Sequence, residues 1–325
     1  MSLLKTTIII PCYNCEKTIQ KTLDALDKQT INPTEIICVD DGSKDNTKKI
    51  IQSNKKVKYI YETNSGPAKA RNTGAKQATG EIILFMDSDC VPQKNWLEEM
   101  LNPLKDEKIV GVQGAYKTEQ EQIIAKFVQE EIEERYKRMR TDKKLDWIGS
   151  YSAAFRKKDF MYAKGYDESF PIASGEDPEF SFRLIEKTNK ELIFNDKAVV
   201  YHTHPTTLKK YLKVKFFRAA YRPKMYKGHE EKIIKDSYTP QKLKIEIIIF
   251  YITIGLLVLG LLNNIFWQLI LFTILTHLLL EIGFIISIKN KKVAFYAIAI
   301  TFLRTIVFGT GLIYGITKEL LAKKY

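Results

Sequence analysis

Ile82-Ile83-Leu84-Phe85-Met86-Asp87-Ser88-Asp89 is the stretch on which the fold turns. Five apolar residues without polar alternation fit a strand covered on both faces, as in a parallel sheet flanked by helices. The run stops on two carboxylates at alternate positions, so acidic groups collect at the carboxyl end of the strand. Three short apolar runs precede it, at residues 7–10, 35–39 and 57–61, with helix-length connectors between them. Residues 16–28 place Ile19, Leu23 and Leu26 on one helical face, and residues 67–78 form a second connector. This βαβ rhythm predicts an α/β fold with a doubly wound, mostly parallel sheet that binds ligands at the carboxyl ends of its strands. Polar residues gather at three such ends: Pro11-Cys12-Tyr13-Asn14, Asp40-Asp41-Gly42-Ser43 and Asp87-Ser88-Asp89.

Further along, residues 119–140 read as one long charged helix with a thin apolar stripe, expected at the surface. Residues 146–176 mix aromatic and polar residues, including Trp147, Tyr151, Phe155 and Phe170, which suits strands and loops around a cleft. Residues 206–226 carry Leu208, Leu212, Phe216 and Ala219 or Ala220 on one side and lysines elsewhere, an amphipathic interfacial helix that Pro223 should end. Three apolar stretches follow, at 245–262, 265–288 and 293–317, each near the ~20 residues that cross a bilayer core. The expected organisation is a domain over 1–205, a basic interfacial segment over 206–243 and a transmembrane region over 244–325. The Asn263-Asn264 turn is uncharged and Lys289-Asn290-Lys291-Lys292 is basic, so the first should lie outside and the second inside. Three full crossings would then leave Lys318, Lys323 and Lys324 outside, against the same tendency. Glu281 and Arg304 fall inside the apolar stretches at similar depth from the Lys289–Lys292 turn and are expected to pair.

The formal net charge of +13 is concentrated in residues 206–244, where twelve Lys or Arg face three acids. A basic segment directly before apolar spans suits an anionic membrane surface, so the membrane, not nucleic acid, is the expected partner. Four cysteines make no disulfide framework in a chain of 325 residues, and Cys12-x-x-Cys15 has no second pair to complete a zinc site. The apolar run at 6–10 is too short for a signal peptide. Together these readings place the protein in the cell membrane, multi-pass, with its amino-terminal domain cytoplasmic.

The chemistry-bearing residues sit at the strand ends. Asp40 and Asp41 can accept hydrogen bonds from a nucleobase or ribose, although Asp-Asp-Gly-Ser also makes an ordinary turn. Asp87 and Asp89 offer the oxygen ligands that suit Mg²⁺ or Mn²⁺. Arg71, in a connector opened by Gly66-Pro67, can clamp a phosphate with its fork. Glu176 or Asp177 can act as a general base, while Asp177 before Pro178 also reads as a helix N-cap. His202 or His204, after the apolar run at 198–201, can complete a cation's shell.

The order Pro11-Cys-Tyr-Asn14, Val39-Asp-Asp-Gly-Ser43, Ala70-Arg-Asn-x-Gly74, Met86-Asp-Ser-Asp89, Gly165-Tyr-Asp-Glu168 and Gly175-Glu-Asp177 resembles the family 2 glycosyltransferases. The resemblance covers about the first 205 residues and implies the GT-A fold of nucleotide-diphospho-sugar transferases. It implies that Pro11, Asp41 and Arg71 meet the nucleotide, that Asp87 meets the ribose or metal, and that Asp89 and His202 hold the metal; Tyr13, Asp40 and Ser88 complete the expected nucleotide- and donor-binding set. Asp177 would be the base of an inverting displacement. The expected activity is transfer of a sugar from a nucleotide-diphosphate sugar to a membrane-associated acceptor, such as a lipid-linked, polyprenyl-phosphate or other cell-envelope glycan. Processive members carry Q-x-x-R-W after the catalytic Asp, where this chain has Phe217-Arg218-Ala219-Ala220-Tyr221-Arg222. That departure speaks against a processive polysaccharide synthase. A non-catalytic sugar-nucleotide-binding membrane protein is the other alternative, and it would have no use for a base at Asp177.

Overall fold

The computed structural model describes residues 4–142, 144–237 and 239–322. The chain divides into two compact units, Met1–Glu119 with Arg135–Thr203, and Gln120–Glu134 with His204–Tyr325. The helix over residues 123–141 contributes its first part to the second unit and its last turns to the first.

The first unit is built on one eight-stranded sheet. Its strands are β1 (Thr6–Cys12), β2 (Glu35–Asp41), β3 (Val57–Glu62), β4 (Ile82–Met86), β5 (Cys90–Pro92), β6 (Ile109–Lys117), β7 (Ser152–Arg156) and β8 (Glu191–His202), in the order β3-β2-β1-β4-β7-β6-β8-β5. Helices α1 (Ile19–Leu26), α2 (Thr47–Ser53), α3 (Pro67–Gln77) and α4 (Trp96–Leu101) connect the earlier strands. The parallel β1, β2, β3 and β4 follow the apolar runs of the sequence, with Pro11 beside Val39 and Cys12 beside Asp40. All five residues of β4 are buried, as a doubly covered strand requires.

Beyond β4 the sheet turns mixed. β7 pairs antiparallel with β4, setting Met86 beside Ser152, and β5 pairs antiparallel with β8, setting Cys90 beside His202. Helix α5 (Ile123–Thr141) leads toward β7, and α6 (Lys157–Tyr162) and α7 (Glu176–Thr188) separate β7 from β8. Phe85, Phe155, Phe160, Tyr166 and Phe180 pack ring against ring behind the β4–β7 junction, with centroids 4.8–6.1 Å apart. Burying each such ring stabilises the unit by about 1.5–3 kcal/mol. The mixed, curled sheet bears out the expected fold class.

The second unit holds α8 (Leu208–Ala220), α9 (Arg222–Met225), α10 (Gln241–Gly260), α11 (Ile265–Ser287) and α12 (Lys291–Ala322). Helices α10, α11 and α12 are each long and apolar enough to cross a membrane. Lys323 and Lys324 lie outside the described residues. Pro223 does not end the preceding helix as expected; α8 stops at Ala220, and Pro223 falls in the first turn of α9, where its missing N–H has no intrahelical acceptor to lose. Two glycines let α8 and α12 touch backbone to backbone. A Cβ at Gly311 would lie 2.6 Å from the Phe216 carbonyl, and one at Gly315 would collide with the Ala220 carbonyl.

Helix α5 corrects the reading of a surface helix, because Phe127 and Tyr136 are fully buried. Its acids are drawn inward by cations. Glu131 meets Lys215 at 2.9 Å and Arg304 at 3.0 Å, and Glu134 meets Lys242 at 2.8 Å. Despite burial, the Lys215 and Arg304 charges hold the Glu131 carboxyl down to about 2. The expected partnership of Glu281 with Arg304 is present at 3.2 Å, but it is one part of a larger cluster. Arg304 also reaches Glu246 at 2.9 Å, and Lys242 reaches Glu281 at 3.3 Å.

Removing Arg304 leaves the buried Glu246 and Glu281 and the half-buried Glu131 short of a cation. Arg304→Met should destabilise the second unit by about 3–5 kcal/mol, read as a drop in thermal stability in detergent. Exchanging the charges at 281 and 304 should give no rescue, because a carboxylate at 304 would face Glu131 and Glu246; recovery in the exchange would show that the pair acts alone.

Candidate functional site

The acidic ends of β2 and β4 come together with the start of α7 within the first unit. Parallel strands in register deliver Asp40, Asp41 and Asp87 to one edge of the sheet because each follows an apolar run that ends at the same level. Arg71 on α3 lies between the carboxylates. Its Nη2 is 3.0 Å from Asp87 Oδ1 and its Nη1 is 3.3 Å from Glu176 Oε1, and its side chain is only 4% exposed. Tyr166 lies under the guanidinium at 5.8 Å. Burial opposes the charge, yet Asp87, Asp177 and Glu176 hold it in place and raise the guanidinium's pKa. Both terminal nitrogens of the expected phosphate clamp are therefore engaged by carboxylates.

Glu176 and Asp177 open α7, and they differ in what they do there. The N-cap is Gly175 at φ 119°, a conformation suited to glycine, so Asp177 sits in the first turn and is not the cap that its place before Pro178 suggests. Glu176 is 2% exposed and accepts from the Ser174 N–H at 2.7 Å as well as from Arg71. Burial and the neighbouring Asp177 charge push its carboxyl up to about 7, against the pull of Arg71. Asp177 Oδ2 accepts from the Ser150 N–H at 3.1 Å, and Oδ1, buried, has no hydrogen-bond partner among the described residues. Burial raises this carboxyl too, with Arg71 and Ser150 opposing. A carboxylate held at one oxygen and open at the other can accept a proton.

Asp89 stands across from β8. His202 Nε2 lies 3.3 Å from Asp89 Oδ2, and the β5–β8 ladder puts the two segments in register. His204 is elsewhere: its ring meets Gln129 at 2.9 Å within the second unit, so of the two candidate histidines His202 is the one beside an acid of the site. Asp87 and Asp89 remain about one-third exposed and His202 17% exposed, so all three keep access to solvent. Two carboxylates and an imidazole form a donor set that fits a hard or borderline divalent cation.

Tyr116 is a site residue that the sequence reading missed. Its ring is stacked between Tyr151 at 3.7 Å and His202 at 4.4 Å, and its hydroxyl donates to Asp87 Oδ2 at 3.3 Å. It thereby orients both the acid and the imidazole. Gln113, Tyr136 and Tyr151 fix this stack from behind: Gln113 donates to the Tyr151 hydroxyl at 2.7 Å, and the Tyr136 hydroxyl accepts from the Tyr116 N–H at 2.7 Å.

The remaining candidates line the other side of the sheet edge. Asp40 accepts from the Ser43 N–H at 2.9 Å and the Tyr59 hydroxyl at 2.8 Å. Asp41 accepts from the Ser65 N–H at 2.6 Å and the Gly66 N–H at 3.0 Å. Both are nearly fully buried and shape the loops around them. Pro11 is half-buried and Tyr13 is 51% exposed at the end of β1. The Ser88 carbonyl accepts from Thr22 on α1 at 3.1 Å, which secures the Asp-Ser-Asp turn. Cys12, Cys15, Cys38 and Cys90 are all buried free thiols.

Residues 7–162 match the sequence model described as Glycosyl transferase family 2. Over 217 residues, 62% of this chain, the protein is 30% identical to poly(ribitol-phosphate) beta-N-acetylglucosaminyltransferase TarS of Staphylococcus aureus, covering 36% of that relative. Over 100 residues it is 40% identical to glycosyltransferase AglE of Haloferax volcanii, a match that covers 28% of this chain and 33% of AglE. The chain thus spans about a third of the length of these curated relatives. Mannosyltransferase PcManGT from Pyrobaculum calidifontis, solved with GDP-Man and Mn²⁺, is similar in fold over 98% of this chain and 88% of its own, at 18% identity and a TM-score of 0.60. Strand-end acids, a buried arginine between them and the match of residues 7–162 converge on one conclusion: the first unit is similar to a glycosyl transferase family 2 domain, and the chain shares its fold with a solved mannosyltransferase.

Proposed function

We propose that the protein is a membrane-anchored, metal-dependent glycosyltransferase that moves a sugar from a nucleotide-diphosphate donor to a hydroxyl or phosphate of a membrane-associated acceptor. The observation that carries this reading is Asp177, half-buried beside Arg71 and Asp87, with one carboxylate oxygen held and the other buried and unpartnered among the described residues. A site made only to bind a nucleotide would have no need of such an oxygen.

In this reading Asp87, Asp89 and His202 hold Mg²⁺ or Mn²⁺, which when bound offsets the charge that grows on the departing diphosphate. Asp177 Oδ1 takes the proton of the acceptor hydroxyl as its oxygen forms the bond to the sugar's anomeric carbon. The bond from that carbon to the diphosphate oxygen breaks on the opposite face, and the configuration inverts. Raising the Asp177 carboxyl by burial makes it a better proton acceptor than a solvent-exposed aspartate. Arg71 holds Asp87 and Glu176 apart and lends positive charge beneath the diphosphate. Pro11, Tyr13, Asp41 and Ser88 border the space left for the nucleotide. The basic segment before α10 favours an acceptor with an anionic, lipid-borne head group, and a cytoplasmic placement of the catalytic domain follows the positive-inside tendency.

Asp177→Asn should keep nucleoside diphosphate affinity, measured with UDP and GDP by calorimetry, and lower turnover by about 10²- to 10⁴-fold. Unchanged turnover would sink the assignment of the base. Asp89→Asn and His202→Ala should each raise the Mg²⁺ or Mn²⁺ concentration for half-maximal donor hydrolysis by at least about tenfold, whereas His204→Ala should leave it unchanged. Glu176 has a folded-state pKa above its ordinary value of 4.5, so its contribution to stability is complete below that pH and lost as pH rises through about 7. Glu176→Gln should remove this dependence, shifting the stability difference in favour of the variant by up to about 3 kcal/mol between about pH 5 and about pH 8, whatever constant offset the substitution brings. Parallel unfolding curves at both pH values would contradict it.

A further inference from the structure

Helices α10, α11 and α12 share length and apolarity, but they do not share surroundings. α10 and α11 pair along their length: Thr253 donates to Thr273 at 2.9 Å, and Gly260 faces the Trp267 ring. They form a hairpin with the uncharged Asn263-Asn264 turn at its tip. α12 meets α10 at that helix's early turns, where Arg304 bonds Glu246, Phe308 packs on Leu243 and Tyr251 donates to the Gly309 carbonyl at 2.9 Å.

After Gly309, the partners of α12 are α8 and the residues that follow it. Gly311 sits against Phe216, Tyr314 packs on the Phe216 ring at 5.6 Å, Gly315 sits against Ala220, and Lys318 lies over the Tyr221 ring at 5.5 Å. At its start, Val293, Ala297 and Ile300 pack with Tyr211 of α8. The two helices therefore run side by side in the same direction over the whole of α8, about 20 Å. α8 carries charge throughout that length, with Lys209, Lys210 and Lys213 exposed near its start and Arg218 near its end.

A helix charged from end to end stays out of the hydrocarbon core, and whatever lies along it shares its depth. The polar contacts at mid-α12 agree. The Arg222 guanidinium lies over Phe308 at 5.3 Å, and Arg222 bonds Thr239 beside Tyr226 and Asp236. The level of this knot is set by α10: Lys244, the last cation before the apolar run of that helix, donates to the Ile233 and Ile234 carbonyls at 2.8 and 2.9 Å. The middle of α12 thus lies where α10 enters the membrane. Its outer face is apolar: at about 100° per residue, Phe295, Ile298, Phe302, Ile313, Ile316 and Leu320 fall on one stripe, each at least 39% exposed.

We infer that α12 is not a third crossing but a lipid-facing interfacial helix that lies with α8 at the head-group boundary, so that the α10–α11 hairpin alone spans the bilayer. Its apolar stripe is a surface whose partner is the acyl and head-group boundary of an anionic bilayer. The charge distribution then becomes consistent. Lys289, Lys291, Lys292 and Lys318 fall on the same side as the basic segment before α10, and the uncharged turn falls on the other. The inference rests on the membrane reading of α10 and α11 given above and is independent of the reaction.

The test is cysteine accessibility in the full chain, reconstituted into sealed vesicles of phosphatidylcholine and phosphatidylglycerol, using a membrane-impermeant maleimide and the unsubstituted chain as background for the four buried thiols. Asn263→Cys, Asn290→Cys and Lys318→Cys are labelled before and after the vesicles are opened. The expected result is that positions 290 and 318 share one side and 263 lies on the other. Labelling of 318 on the side of 263 would make α12 a crossing and overturn the inference. All three on one side would instead remove the hairpin, and with it the membrane reading. As a second readout, a fluorophore at Ile313→Cys should be quenched by lipids spin-labelled near the head group at least twofold more than by lipids labelled near the chain end. Equal or reversed quenching would contradict the interfacial depth, and resistance to both quenchers in a dimeric sample would assign the stripe to a second copy.

Discussion

The buried charge of Arg71 is the constraint around which the catalytic unit is arranged. An isolated guanidinium in that position would be costly to desolvate, and the fold offsets this by bringing Asp87, Glu176 and Asp177 to it from two distant parts of the chain. One side chain thereby ties the end of β4 to the start of α7. The same cation decides how the two acids of α7 divide their work. Glu176 is spent on Arg71 and on the Ser174 backbone, which leaves Asp177 as the acid with an oxygen to offer.

The second unit is organised by the same physics. Arg304, Lys242 and Lys215 are interleaved with Glu131, Glu134, Glu246 and Glu281 at the base of the apolar helices. Charges that would be prohibitive singly become acceptable as an alternating cluster, and the requirement that they meet fixes the rotation of each helix about its axis. Small residues serve the α8–α12 seam, where Gly311 and Gly315 let the two backbones touch.

Much of this was legible in the residues. Apolar runs mark β1, β2 and β4, the last two ending in acids, because a strand buried on both faces leaves no periodicity to misread, and the resemblance supplied the order of the motifs. What escaped was everything that depends on distant partners. Tyr116 belongs to a buried strand and looks like core; only the pairing of β6 with β8 reveals that its ring carries His202. The acids of α5 looked solvated because the cations that bury them lie 80 or more residues away. His202 and His204 are equivalent in sequence, but β8 ends at His202, so His202 keeps its place in the sheet beside Asp89 while His204 falls beyond the strand and meets Gln129. The α12 stretch has the length of a span, and length alone says nothing about what lies alongside it.

Asp40 and Asp41 use their carboxylates to close the loops that follow β2 and β3. The ordering entropy of that wall is lost once, when the chain folds. A ligand that arrives later meets a surface already set and gives up chiefly its own freedom, so discrimination between donors reduces to shape and to the few donors and acceptors still turned outward. The acids that look most like ligands to the nucleotide act first as masonry for the loops beside the site.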